Sequence, residues 1–201
     1  MLSNDCINAI AYQCSLTDKN YKRGETYLAC IPPFLGFGIT MAHLGISEGL
    51  VSQLILNPDI NYIVKQFEKL KSNRLVYGPR ITEVMIEKLN CDLSHLIDFT
   101  GGGEAISEDN EIKINKFLEE NNANAKYTTG YGMTETGSVV TLNSNKIYRL
   151  GSVGVPLPLS NIKIVEDGVE KKYNQIGEVC LNSPSVMQGY FKNDKATNDR
   201  V

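Results

Sequence analysis

The feature that most constrains this chain is a rhythm running from Ser52 to Thr129, in which short apolar runs alternate with stretches of helical period. Ser52–Leu56, Arg74–Tyr77, Leu96–Thr100 and Ala125–Thr129 have the length and composition of strands. Between them Ile60, Ile63, Val64, Phe67 and Leu70 recur on one helical face, then Ile81, Val84, Met85 and Leu89, then Ile114, Phe117 and Leu118. Asn57-Pro58 places a cap before proline at a first helical position, Gly78-Pro79 opens the next helix, and Ser107 caps the third. Strand and helix in strict alternation imply an α/β fold, a mostly parallel sheet flanked by helices. Ligands of such sheets sit beyond the carboxyl ends of the strands. Two glycine-rich segments fall there: Gly101-Gly102-Gly103-Glu104 after one strand and Gly130-Tyr131-Gly132 after the next.

Upstream, residues 4–14 have the pattern of a short helix capped by Asn4 or Asp5, Thr17–Glu25 that of a polar loop, and Tyr27–Ile31 that of a strand stopped by Pro32-Pro33. The following PPFLGFGITMAHLGISEGL is apolar and glycine-rich, a loop opening a buried helix packed against small residues. After Arg149 the rhythm changes. Asn161–Glu166 alternates, Asp167-Gly168 is a hairpin turn, Val169–Lys172 returns, and Ile176–Leu181 adds a strand. The expected organisation is a central α/β part over 1–145 and the start of a smaller β-rich subdomain over 146–201.

Composition narrows the function classes. A net charge of −3 without a basic stripe gives no reason to expect nucleic acid. No run approaches the roughly eighteen apolar residues of a membrane span. The opening MLSNDCINAIAY lacks a basic n-region and a long apolar core, so no signal peptide is expected. Five cysteines, odd in number and without a Cys-x-x-Cys, suit reduced thiols in a cytoplasmic protein. His43 and His95 stand apart from any ligand cluster, so no zinc site is expected.

The densest chemistry lies in Tyr127–Gly137, YTTGYGMTETG. Thr128 and Thr129 close a strand, and Gly130, Tyr131 and Gly132 are expected to form a turn that a ligand can approach closely. Thr134 and Glu135 then set a hydroxyl donor beside a hard anionic oxygen. A flat ring, a phosphate donor and a metal-binding carboxylate together suit a nucleotide and its magnesium ion. Taken singly, each has a plainer role: a half-buried turn tyrosine, a helix cap and a helix-terminal acid.

Tyr131-Gly-Met-Thr-Glu135 resembles the adenine- and phosphate-contacting motif of the adenylate-forming (AMP-binding) superfamily, which includes acyl-CoA synthetases, adenylation domains of peptide synthetases and luciferases. Gly102-Gly103-Glu104 resembles the Gly-Gly-Glu segment that lines one side of its adenine pocket, although Glu104 equally suits a solvated acid at a helix entry. Gly151-Ser-Val-Gly-Val-Pro156, Gly177-Glu178-Val179 and Gly189-Tyr190-Phe191, followed by Asn193–Thr197, resemble later structural segments of the same family in the same order.

The resemblance implies roles for particular residues. Tyr131, with Gly132, Met133 and the Gly102–Glu104 turn, would hold adenine. Thr134 would orient the α-phosphate, and Glu135 would ligate magnesium. Pro32, Phe34 and Gly38 match a family segment at the acyl pocket, so Phe34, Leu35 and Gly36, with Gly130, would line that pocket; Leu35 stands where the family often has histidine. The implied activity is ATP-dependent activation of a small-molecule carboxylic acid, which attacks the α-phosphate, releases pyrophosphate, and passes as acyl-adenylate to coenzyme A or a carrier-protein pantetheine.

The family's Ser/Thr/Gly-rich phosphate loop, its ribose-binding acid and its C-terminal lysine have no counterpart among these residues. The expectation is therefore a fragment of the large N-terminal domain, inactive or nearly so alone, with the remaining parts on another chain or with an acyl-carrier protein as partner. The alternative is a non-catalytic nucleotide-binding or partner-docking remnant that complements another chain.

Overall fold

The computed structural model describes residues 1–200. Five strands run parallel: β1 (Thr26–Ala29), β2 (Val51–Leu54), β3 (Arg74–Tyr77), β4 (Asp98–Gly101) and β5 (Tyr127–Gly132). Helix α1 (Asn4–Ser15) precedes them, and α2 (Gly36–Ser47), α3 (Ile60–Leu70), α4 (Pro79–Lys88) and α5 (Glu108–Glu120) connect them in turn. Strands β6 (Val139–Leu142) and β7 (Val155–Pro156) extend the sheet antiparallel, giving the order β2-β1-β3-β4-β5-β6-β7. The chain thus steps outward from β1 to β2, then crosses back to β3, and the helices of the two branches lie on opposite faces. Helices α1 and α2 pack together on one face, while α4 packs between α3 and α5 on the other.

Because both faces are covered, the central strands bury side chains in both directions. Leu28, Leu75 and Phe99 point into the core beneath α3, α4 and α5, with Phe67, Met85 and Ile114. The alternate residues Tyr27, Ala29 and Val76 face α1 and α2, against Ile10, Met41 and Leu44. This is the α/β sheet that the alternating pattern implies.

Besides the cap of α1, which is Ser3 accepting from Cys6 N at 3.3 Å rather than Asn4 or Asp5, three local expectations need correction. Asp59, rather than Asn57, caps α3: its side chain accepts from Tyr62 N at 2.9 Å, while Asn57 bends the chain by accepting from Asp59 N at 3.0 Å. On α4 the buried face is Thr82, Met85, Ile86 and Leu89, and Ile81 and Val84 are 38% and 40% exposed. A polar residue can take that core position because the Thr82 hydroxyl donates to Gly78 O at 3.0 Å.

The third concerns the glycines after Thr129. Gly130, Tyr131 and Gly132 continue β5 as a strand and pair antiparallel with β6, with a register irregularity between Tyr131 and Gly132. Here glycine serves close backbone packing: a Cβ on Gly132 would lie 1.8 Å from Ser138 O, and one on Gly130 2.8 Å from Thr141 O. The turn comes later, around the short 3-10 helix Thr134–Thr136.

A second sheet of β8 (Asn161–Glu166), β9 (Val169–Glu170) and β10 (Glu178–Asn182) is antiparallel in the order β10-β8-β9. Asp167 and Gly168 form the β8–β9 hairpin with φ of +52° and +76°. Strand β7 belongs to the large sheet, and the small sheet starts at Asn161. Beyond β10 the chain returns to the large unit, where Met187 N donates to Glu135 O at 2.7 Å and Cys6 Sγ to Val186 O at 3.1 Å, before the short helix α6 (Asp194–Asn198). Among the described residues no helix is long and apolar enough to cross a membrane.

Candidate active site

Parallel pairing places the ends of β4 and β5 side by side, with Gly101 opposite Thr129. The two glycine-rich segments therefore meet. A Cβ on Gly102 would lie 3.8 Å from Gly130 O, and the Phe37 ring of α2 closes over the same spot at 3.6 Å. Gly103 has φ +89°, a left-handed conformation that favours glycine, and lets the chain leave the strand sharply. Gly102 and Gly103 from one side, and Gly130, Tyr131, Gly132, Met133 and Thr134 from the other, line one cleft of about 240 Å³. It lies at the carboxyl ends of the strands and extends inward along the face covered by α1 and α2.

Thr136, rather than Thr134, ties the turn together. Its hydroxyl accepts from Met133 N at 3.2 Å and lies 2.9 Å from Ser138 O, to which it can donate. Thr134 is left exposed at the cleft, its side chain uncommitted to capping. Tyr131 is half-buried and lines the same space.

Glu135 does not line the cleft wall. Its carboxylate accepts a hydrogen bond from the Tyr190 hydroxyl at 2.6 Å, and that bond holds its pKa below the usual carboxylate range, so it is an anion at neutral pH. Among the described residues no group of three His, Cys, Asp or Glu side chains could hold a metal ion. A magnesium ion at Glu135 would thus take its other ligands from phosphate oxygens and water, as that ion commonly does. The cleft suits a nucleotide in the same way: glycine backbone at Gly102 leaves a Cβ-sized space, and Thr134 offers an unengaged donor.

Glu104 lies outside the wall. Its Oε1 accepts from Arg80 N at 3.0 Å, satisfying a free amide at the start of α4. Phe34 and Leu35 are 85% and 47% exposed and, with Gly36, do not line the cleft. Gly36 instead lets α2 approach the hairpin turn, since a Cβ there would lie 2.8 Å from Gly137 O. The residues of α2 that reach the cleft begin with the next one: Phe37, Met41 and Leu44, with Gly45 beside the last. Their spacing of four and three is a helical stripe visible in the sequence. Lys19, Tyr21 and Tyr27 also line the inner end, and no local pattern marks them.

The AMP-binding enzyme family model matches residues 1–191. The chain belongs to this family. Among curated AMP-binding relatives, 4-coumarate–CoA ligase-like 3 of Arabidopsis thaliana is 29% identical, over 96% of this chain and 36% of that protein. The acyl-CoA ligase easD of Emericella nidulans is 30% identical, over 88% of this chain and 32% of its own length. The chain spans about a third of the length of these relatives.

Solved structures agree in fold. A long-chain-fatty-acid–CoA ligase from Archaeoglobus fulgidus superposes with a TM-score of 0.85 at 24% identity, covering 99% of this chain and 42% of that one. The O-succinylbenzoate coenzyme A synthetase of Bacillus subtilis, solved with ATP and magnesium ion, gives 0.80 at 20% identity, covering 98% of this chain and 41% of its own.

Proposed function

We propose that these residues form the nucleotide- and acyl-binding core of an ATP-dependent, AMP-forming ligase that activates a small-molecule carboxylic acid. One observation carries the reading: the glycine turn after β4 and the β5–β6 hairpin share a single cleft. Tyr131, with Gly102, Gly103, Gly132 and Met133, would hold the adenine of ATP or AMP. Thr134 would donate to the α-phosphate, and Glu135 would ligate magnesium, which supplies charge neutralisation for the phosphates. Gly130, Phe37, Met41 and Leu44 would line the acyl end.

The catalytic contribution of these side chains is positioning of the acid beside the phosphate. Coenzyme A or a carrier-protein pantetheine would receive the acyl group. Residues 1–145 would supply these walls and 146–201 the start of a smaller β-rich unit. The five free cysteines fit a reducing, cytoplasmic setting.

Because the chain covers about a third of its relatives' length, binding is expected of the isolated span and turnover is not. In amide NMR, AMP should shift Gly102, Gly103, Tyr131 and Thr134 together. Pyrophosphate exchange with a panel of acids should stay at background for the isolated 201 residues. Absence of AMP binding up to about 1 mM, where affinity is only ~4 kcal/mol, would defeat the nucleotide reading.

A further inference from the structure

The acid of the β5–β6 turn is supported from outside its own motif. Glu135 is the middle residue of the 3-10 turn Thr134–Thr136, and its half-buried side chain has three rotatable bonds. Ordering such a side chain costs rotamer freedom, so an acid that must meet an ion gains from a partner that fixes it. Its one hydrogen-bonding side chain among the described residues is Tyr190, 55 positions further along the chain, whose hydroxyl donates to Oε1 at 2.6 Å. A carboxylate has about four acceptor sites, and this bond uses one of them.

Tyr190 is itself held. Its backbone N donates to Thr197 Oγ1 at 2.9 Å, and that hydroxyl donates to Asn193 O at 3.0 Å. Asn193 caps α6 by accepting from Ala196 N at 3.1 Å. Gly189 has φ +134°, and a Cβ there would lie 2.7 Å from Thr197 Cγ2, so glycine lets the chain reach Tyr190 this close to α6. The segment Gly189–Thr197 thus fixes the phenol from behind.

The hydroxyl is not what docks this segment on the large unit. Met187 N already donates to Glu135 O at 2.7 Å, Cys6 Sγ to Val186 O at 3.1 Å, and Gln13 Nε2 to Ser183 Oγ at 3.3 Å. What the Tyr190 bond adds is the direction of the carboxylate.

We infer, resting on the reading of Glu135 as magnesium ligand, that Tyr190 is a positioning residue: its hydroxyl holds one carboxylate oxygen so that the remaining acceptor sites meet the metal ion of the bound nucleotide. Donors behind a metal-binding group orient it, and their loss costs on the order of ten- to a hundredfold in metal affinity. A bond that only tied the chain together would act alike on every ligand.

The test is calorimetric titration of the parent, Tyr190→Phe, Glu135→Gln and the double variant with AMP and with ATP, each in chelator and in excess magnesium. Magnesium should tighten ATP binding by the parent. Tyr190→Phe should cut that gain about tenfold, while AMP affinity in chelator and the melting temperature stay unchanged. Glu135→Gln should cut it at least as far, and Tyr190→Phe added to Glu135→Gln should change nothing more. A full magnesium gain in Tyr190→Phe beside a reduced one in Glu135→Gln overturns the inference and leaves the metal reading standing. Equal losses for AMP and ATP in Tyr190→Phe make the hydroxyl a structural tie and overturn it too. A magnesium gain that is absent from the parent, or that neither single variant alters, removes the Glu135 reading and the inference together. No nucleotide binding by the parent removes both along with the nucleotide reading.

Discussion

At the scale of single residues, adjacent glycines in one turn serve different physical ends. Gly103 is required by conformation, because its φ of +89° is strained for any L side chain. Gly102 has no positive φ, and an added Cβ would meet only ordinary contacts at 3.6 Å and 3.8 Å, at the cleft wall. The expected outcomes therefore separate. Gly103→Ala should lower stability by about 1–2 kcal/mol in urea titrations. Gly102→Ala should leave stability within about 0.5 kcal/mol yet weaken AMP binding about tenfold, if the nucleotide backs onto that position. The sequence marks both as glycines in a strand-to-helix turn. Which of them answers to a dihedral and which to space depends on coordinates.

At the scale of elements, the strands and helices between Ser52 and Thr129 were legible because period and punctuation agree there. Phase was harder. Ile81-Val84-Met85 and Thr82-Met85-Ile86-Leu89 are neighbouring stripes on α4, and hydrophobicity alone favours the first. Burial goes to the second because Thr82 returns its hydroxyl to the backbone. Met85→Ala should therefore cost about 2–5 kcal/mol. Val84→Ala should change stability by no more than about 0.5 kcal/mol, both measured by thermal unfolding. The same cause hid the β5–β6 hairpin: glycines at 130 and 132 resemble a turn until the partner strand that needs their missing side chains is known. The candidate site divides likewise. Tyr131 and Thr134 line the cleft from a local motif, whereas Phe37 and Met41, just beyond Phe34–Gly36, reach it through the packing of α2.

At the scale of the whole molecule, the buried ion network joins segments far apart in sequence: Lys19 and Glu25 from the first loop, Arg74 from β3 and Asp98 from β4. No sequence pattern links residue 19 to residue 98; only the sheet order does. Burial pushes the Asp98 carboxyl upward, but the Lys19 charge and hydrogen bond, aided by Arg74 and Thr100, outweigh it and hold the pKa below its ordinary value. Folded Asp98 thus binds its proton less readily than the unfolded chain, whose carboxyl titrates near about 4. The stabilisation is fully present above that value and is lost as pH falls through the lower, folded pKa.

Asp98→Asn leaves two buried cations with Glu25 as their only carboxylate, and should cost about 3–5 kcal/mol at neutral pH. It should also flatten the acid limb of the stability profile below about pH 4. Adding Lys19→Met removes one orphaned cation, so the double variant should be more stable than the sum of the single losses predicts. Urea unfolding of the three variants and the parent between neutral pH and about pH 3 reads all of this, across the window where the unfolded carboxyl titrates. An Asp98→Asn acid limb that superposes on the parent's would place the pH dependence elsewhere, in carboxylates that do not hold the first loop against the sheet.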